Sequence, residues 1–231
     1  MPLTHIHYFP LGAGAAGLFF AILVGLLAFS LLSRAYSALG LDSRVVILVL
    51  FGSLIGSYVN LPLARLPEQR VVSRQVVEIF GVPFLAPVAV DWPGTIVAIN
   101  VGGAVIPILL SFYLLVRYNL WGLGALATAI VAFVVHRMAA PIPGVGISVP
   151  TIAPPLLAAV AALILSRRFA APLAYIGGSL GVLIGADLLN LNQLRSLGAP
   201  VASIGGAGTF DGIFLTGVIA VLLASLAGDR R

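Results

Sequence analysis

Long apolar stretches separated by short polar segments fill the chain from Leu11 onward. A helix that crosses the hydrocarbon core of a bilayer needs about 20 predominantly apolar residues. At that length, the pattern predicts one integral membrane domain over residues 1–231, an all-α, polytopic transmembrane helix bundle of about seven spans. The predicted spans are residues 11–32, 45–63, 95–116, 119–136, 149–166, 170–191 and 207–227.

The connection over residues 64–93 is the only long one between predicted spans. It carries three arginines and three acidic residues, followed by the apolar sequence GVPFLAPVAV. The prolines in this apolar sequence favour a surface-lying or re-entrant segment over a further span, because proline interrupts helix hydrogen bonding. We therefore predict an external loop here.

Glycine and proline interrupt several of the predicted spans. The third span contains Asn100-Val-Gly-Gly-Ala-Val-Ile-Pro107, and five prolines lie between residues 140 and 155. Non-helical backbone at membrane depth must be buried in protein or line a wet cavity. We expect broken helices, with a proline-rich turn at the interface over residues 140–147 and a kink in the fifth helix at Pro154 and Pro155.

The composition supports a membrane protein and excludes several kinds of chemistry. Hydrophobic residues make up 61% of the chain, charged residues only 8%, and the mean hydropathy is +1.16, whereas soluble domains are about a quarter charged. Without cysteine, the chain has no disulfide, thiolate nucleophile or cysteine-ligated metal; all twelve basic residues are arginines, which excludes a Schiff-base lysine. We expect no cofactor, no metal and no nucleic-acid partner.

The arginines also predict an orientation in the cell membrane. Cytoplasmic loops of membrane proteins carry an excess of Lys and Arg. With seven spans, one side holds seven arginines and the other holds five, so the N-terminus is predicted outside and the C-terminus in the cytoplasm. The richer side holds Arg34, Arg44, Arg117, Arg167, Arg168, Arg230 and Arg231; the other holds Arg65, Arg70, Arg74, Arg137 and Arg195.

Asp187 and Asp211 are acidic residues inside otherwise apolar, glycine-rich segments. A carboxylate at membrane depth costs roughly 3 kcal/mol on insertion scales, so its default interpretation is functional. Each lies a few residues from the connection between the sixth and seventh spans, which places both at similar depth. Two adjacent carboxylates do not readily both ionise. One base and one acid sharing a water is the chemistry of aspartyl proteases.

Two structural interpretations compete with this catalytic pair. Asp211 is also suited to the first turn of the seventh helix, where the helix dipole stabilises a negative charge. Asp187 is also placed to form an ion pair with Arg195 at the interface. The sequence leaves these alternatives open.

Glycines on the sixth span predict close helix packing. Gly177, Gly181 and Gly185 recur at every fourth residue, and such small-residue ladders let another helix approach closely. Ser179, Asp187 and Asn190 fall on a different, polar side of the same helix. A Gly-Gly pattern recurs in Val101-Gly-Gly-Ala, Ile176-Gly-Gly-Ser and Ile204-Gly-Gly-Ala, without predicting a repeat. Further structural candidates are Gly205, Gly206, Gly208 and Pro107.

Four sequence segments carry a family resemblance. They are NVGGAVIP at 100–107, PIPGVGI at 141–147, IGADLLNL at 184–191 and SIGGAGTFDGIFLTG at 203–217. With these, the chain resembles a family of uncharacterised prokaryotic membrane proteins, domain of unknown function 1614, over most of its length after about residue 45. The family name implies no activity.

A fainter resemblance points to intramembrane aspartyl proteases of the presenilin and signal-peptide-peptidase type. Phe210-Asp211 is similar to their Y-D motif, and Gly185-Ala186-Asp187 to part of their G-x-G-D motif, in reversed order; Ala153-Pro-Pro-Leu156 is similar to their P-A-L motif but lies upstream. This resemblance implies a catalytic role for Asp187 and Asp211.

Three functions remain open from the sequence. The first is an intramembrane aspartyl hydrolase or protease with the Asp187–Asp211 dyad, acting on a membrane-spanning peptide. The second is a proton- or cation-coupled transporter of a small ion or solute, which uses the same aspartates. The third is a non-catalytic scaffold in contact with membrane lipid. Candidate substrate- or ion-binding residues are Asn100, Asn190, Thr216 and Ser179.

Overall fold

The computed structural model describes residues 11–67, 69–79, 82–92, 94–142, 146–196, 200–206 and 212–228. In these ranges the chain folds mainly into helices, as the hydropathy pattern predicts. They are α1 (Leu11–Ala38), α2 (Ser43–Gly56), α3 (Ile106–Tyr118), α4 (Trp121–Met138), α5 (Ala153–Leu165), α6 (Ala170–Val182) and α7 (Gly212–Gly228).

Two of these helices are extended by irregular helical turns. A π-helical turn, Val101–Val105, leads into α3, and α6 continues as a π-helical segment, Leu183–Asp187, and then as a 3-10 helix, Leu188–Ser196. Such irregular turns leave some backbone carbonyls without their regular helical partners.

The helical segments have the length and surface of membrane spans. Four described segments are long and apolar enough to cross a bilayer: Phe20–Ala38, Val101–Tyr118, Trp121–Met138 and Ala170–Gln193. Three shorter apolar helices accompany them, Ser43–Gly56, Ala153–Leu165 and Gly212–Ala227. Large apolar side chains face outward, among them Leu48, Phe133 and Ile164, as expected for a surface in contact with lipid. The chain is therefore a helical membrane protein, and the total of seven spans stays a prediction.

Helix α6 lies at the centre of the bundle. It packs against α3, α4, α5 and α7, and eleven of its thirteen residues are buried. Because its neighbours surround it, Ser179 on α6 and Asn190 on its extension are buried inside the protein.

Three short strands form a sheet that the hydropathy pattern does not predict. Strand β4 (Thr95–Asn100) lies between β1 (Asn60–Leu66), to which it is antiparallel, and β7 (Val201–Ile204), to which it is parallel. Residues 60–63 and 95–100 are therefore strand, which corrects the helical ends predicted for the second and third spans. A short apolar run fits a strand or a helix equally well, so hydropathy alone does not separate them.

Two hairpins complete the described structure. Strands β2 (Gln69–Ile79) and β3 (Val82–Trp92) pair along their whole length, so the apolar sequence GVPFLAPVAV contributes to a hairpin strand within the predicted loop. Strands β5 (Ala140–Ile142) and β6 (Gly146–Ser148) form a shorter hairpin where a proline-rich turn is predicted.

Candidate functional site

Asn100 joins three elements at the point where β4 ends and the helical turn before α3 begins. Its Oδ1 accepts a hydrogen bond from the Gly103 backbone N–H at 2.8 Å, which caps the start of the turn. Its Nδ2 donates to the Ser57 carbonyl at 2.7 Å and to Asn60 Oδ1 at 3.1 Å. Asn100 is 1% exposed. Both ends of its amide are thus occupied by structural hydrogen bonds.

The π-helical turn after Asn100 is in backbone contact with the end of α2. A Cβ added to Gly102 would overlap the Ser53 carbonyl oxygen and the Ser57 nitrogen, and one added to Gly56 would lie 2.9 Å from the Gly102 nitrogen. Glycine at both positions is what permits this approach. Pro107 is buried in the first turn of α3, directly after the π-helical turn.

Gly205 connects this turn to Asp187. It follows β7 with φ +68°, and a Cβ there would lie 2.6 Å from the Ala104 Cβ and 2.7 Å from the Ala104 nitrogen. Its backbone N–H donates to Asp187 Oδ2 at 3.3 Å. Two of the three Gly-Gly segments, those at Val101 and Ile204, therefore meet beside a carboxylate.

Asp187 lies at the last position of the π-helical segment, where α6 loses its regular winding. Its side chain is half-buried. The Arg195 side chain lies outside the described residues, so the predicted Asp187–Arg195 ion pair is not tested. Asp187, Gly205 and Ala104 together define what we call the break site, at the meeting point of the two irregular helical segments.

The Asn190 side chain forms hydrogen bonds with backbone carbonyls of the π-helical segment beside the break site. It is 2% exposed. Its Nδ2 lies 2.9 Å from the carbonyl oxygens of Gly185 and Ala186 and 3.2 Å from His136 Nδ1, while its Oδ1 accepts from Gln193 Nε2 at 2.9 Å. Asn190 therefore holds α6 in its π-to-3-10 transition and ties it to α4.

The structure places the remaining candidates at helix contacts. A Cβ on Gly177 or Gly181 would lie 3.0 Å from Ala127 Cβ or 2.6 Å from Val131 Cβ, and one on Gly185 would overlap the Ala132 carbonyl, so the glycine ladder faces α4. Ser179 lies against Gly217, and Thr216 against Gly178, between α6 and α7. Gly206 lies against Ser203.

Ser179 and Thr216 are set apart from the break site along the bundle. Ser179 precedes Asp187 by eight residues, about 12 Å at the helical rise. Asp211 and Gly208 lie outside the described residues, so the Asp187–Asp211 pair stays a prediction. No group of three His, Asp or Glu side chains suited to a metal ion occurs in the described part of the chain.

Sequence reasoning did not assign roles to His136, Gln193 or Asn60. His136 lies near the end of α4 and faces Asn190, and Asn60 Oδ1 accepts from both Asn100 and Ser203 Oγ. A polar residue near the end of an apolar span is a weak signal that would have marked all three. The partners of His136 and Asn60 are distant in sequence, which no local pattern reveals, whereas Gln193 donates to Asn190, three residues away.

Comparison with known proteins gives one match. Residues 54–223 match the family described as Protein of unknown function (DUF1614). No curated protein and no solved structure matches the chain. The matched range contains Asn100, Asp187, Asn190 and Gly205, and the likeness to presenilin-type proteases rests on its short motifs alone.

Proposed function

The chain belongs to the family Protein of unknown function (DUF1614), and from its own residues we propose that it moves a proton or small cation across the cell membrane through the break site. The observation that carries this proposal is the half-buried Asp187 carboxylate at the point where the central helix α6 loses its regular winding. In this proposal the arginine-rich ends of the helices face the cytoplasm.

Many transporters contain central helices that are interrupted in this way. Ion sites in many transporters are formed where membrane helices are discontinuous, close to the ends of half-helices. Single-turn π segments are themselves frequent at functional sites. Here α6 is interrupted at Leu183–Asp187, and the π-helical turn that leads into α3 begins at Val101, directly after a strand. Gly205 contacts Ala104 in the π-helical turn before α3, and it donates its N–H to Asp187 in the π-helical segment after α6.

The surroundings of Asp187 suit reversible binding of a cation. The Gly205 N–H partly compensates an ionised carboxylate, which is costly at membrane depth. Asn190 already satisfies the carbonyls of Gly185 and Ala186, so the segment keeps its shape when the charge of Asp187 changes. Asp187 takes up and releases the ion, while Gly205 and Asn190 are positioning residues.

The hydrolase alternative makes a different demand on the chain. It needs a second carboxylate, and the sequence offers Asp211 for that role, outside the described residues. Transport needs only Asp187 and the irregular backbone around it. The interruption of α6 at Asp187 is the observation behind the choice of transport.

The test is ion flux in liposomes that contain the purified full chain. We expect an imposed pH or Na⁺ gradient to drive flux, and Asp187→Asn to abolish it, because asparagine keeps the volume and the acceptor for Gly205 but carries no charge. Asp42→Asn is the matched control, since Asp42 is exposed before α2 and its side chain makes no capping hydrogen bond.

Two results would overturn the proposal. One is the absence of flux under every pH, Na⁺ and K⁺ gradient. The other is undiminished flux in a folded Asp187→Asn protein. Cleavage of a membrane-spanning peptide in the same liposomes, lost with either Asp187→Asn or Asp211→Asn, would establish the hydrolase in place of transport.

A further inference from the structure

An open cavity lies at one end of the bundle, away from the break site. Its volume is about 530 Å³, and it is bordered by the C-terminal ends of α1, α3 and α7 and by the connection that leads into α6. Two exposed arginines, Arg167 and Arg168, line it. Such a volume is within the range of small-molecule sites.

The cavity is basic beyond these two side chains. Tyr118 forms part of the wall, and the Arg117 guanidinium lies over the Tyr118 ring, 5.6 Å from its centroid. Arg168 is held over the Phe169 ring at 5.2 Å. No carboxylate occurs among the described lining residues. Two arginines therefore line the cavity and a third lies beside its wall, and no described acidic side chain in the wall balances them.

The start of α6 adds backbone donors to the same wall. Ala170 and Ala171 line the cavity as the first two residues of this helix, and the first N–H groups of a helix have no partner within it. The Phe169 N–H is taken by Ser166 Oγ at 3.4 Å, and Pro172 has no N–H. The partial positive charge at the start of this helix and the arginines together suit an anion with several oxygen acceptors.

Apart from Ser225, whose Oγ donates to the Val221 carbonyl, the rest of the wall is mainly apolar. Ala38, Phe169, Pro172 and Ala224 contribute to it. A free inorganic anion gains nothing from contact with such an apolar surface, whereas the glycerol backbone and upper acyl chain of a lipid pack favourably against it. Basic pockets between membrane helices bind the headgroups of anionic lipids.

We propose that this cavity binds the phosphate headgroup of an anionic phospholipid. Arg167 and Arg168 contact the phosphate oxygens, Arg117 adds positive charge beside them, and the start of α6 supplies backbone N–H groups. The site does not depend on the transport function, because none of its residues belongs to the break site.

Native mass spectrometry of the full chain in detergent, titrated with phosphatidylglycerol or phosphatidylcholine, tests this site. We expect the first lipid bound to be phosphatidylglycerol. The double variant Arg167→Gln/Arg168→Gln should weaken its binding about 30-fold, as loss of two interfacial arginines predicts. The double variant Arg34→Gln/Arg44→Gln removes the same charge from exposed positions outside the cavity and should change binding less than about threefold, because neither arginine lines the cavity.

Three outcomes would overturn the proposal. An equal loss of phosphatidylglycerol affinity in the two double variants would mean that the lipid responds to diffuse surface charge and not to a specific site. Equal affinity for both lipids would mean that the anionic headgroup is not recognised. Displacement of phosphatidylglycerol by excess inorganic phosphate, which itself binds in an Arg167- and Arg168-dependent way, would assign the cavity to a free anion.

Discussion

Gly205 donates its backbone N–H to Asp187 across the interior of the bundle, and the same glycine lies against Ala104 at the start of α3. One residue thus touches both irregular helical segments. Its φ of +68° and the absence of a Cβ are both needed for this position.

Gly205→Ala should therefore damage the break site. The added methyl group would lie 2.6 Å from the Ala104 Cβ, so the turn must shift and its N–H must leave Asp187. We expect a loss of stability of about 1–3 kcal/mol, measured by denaturant titration of the detergent-solubilised protein, together with reduced ion flux. Gly212→Ala is the control, because nothing lies within 4 Å of a Cβ there. Equal effects of the two substitutions would contradict the assigned contact.

Asn190→Ala should loosen the π-to-3-10 transition of α6. It removes the donor to the Gly185 and Ala186 carbonyls, and buried groups left without a partner cost about 1–3 kcal/mol. Thermal unfolding in detergent measures this loss. Asn192→Ala, at an exposed position of the same 3-10 segment, should stay within about 0.5 kcal/mol of wild type. A stable Asn190→Ala protein would mean that these hydrogen bonds contribute little.

The glycine ladder gives a prediction about helix packing. Gly181→Ala places a methyl group 2.6 Å from Val131, and such overpacking costs about 1–3 kcal/mol. Gly25→Ala, at an exposed position in α1 with nothing within 4 Å of the new Cβ, should instead gain about 0.5–1 kcal/mol, because alanine is the better helix former. Resistance to denaturation by SDS measures both. Ala220 in α7 is unsuitable as a further control, because it is 0% exposed.

The orientation prediction is tested with reporters fused to the full chain. A reporter after Arg231 should be active on the cytoplasmic side, and one inserted beside Gln69 should be active outside, since seven of the twelve arginines fall on the predicted inner side. Cysteine-free wild-type protein also allows single introduced cysteines to be labelled from either side. Both reporters on the same side would exclude the seven-span arrangement.

The aspartate pair makes a prediction of its own. If Asp187 and Asp211 act as one unit, Asp187→Asn, Asp211→Asn and the double variant should all lose activity to the same extent, because residues that act together are not additive. Activity is flux or peptide cleavage in the liposome experiments above. An Asp211→Asn protein with normal activity would leave Asp187 to act without it.

The sequence predicts the helices well and their irregular junctions poorly. Glycine at every fourth residue from Gly177 to Gly185 already marks the face of α6 that the structure places against α4, because helical spacing is a local property. The strand at Thr95–Asn100 is as apolar as the helix after it, so hydropathy predicts one continuous span. Only its pairing with β1 (Asn60–Leu66) and with residues 201–204 distinguishes it.

For the candidate site, too, the sequence reveals local features but not contacts between distant residues. Asp187 stands out in the sequence because a charge inside an apolar run is locally visible. Asn100 and Asn190 stand out for the same reason, yet their amides bond to Ser57, Asn60, Gly185 and His136, which depends on tertiary structure. The partner of Asp187, the N–H of Gly205, is a backbone group that no side-chain pattern can indicate.

The parallel pairing of β4 with β7 constrains the order in which the protein is made. Ile96 pairs with Val201, and four helices, α3 to α6, lie between them in the chain. When α3 leaves the ribosome, the strand that completes the sheet at its base has not yet been synthesised. Contacts between segments so far apart in sequence form late in folding. The start of α3 therefore stays in the translocon or the bilayer while β4 is paired with β1 alone. Asp187 gains its Gly205 partner only when synthesis is almost finished.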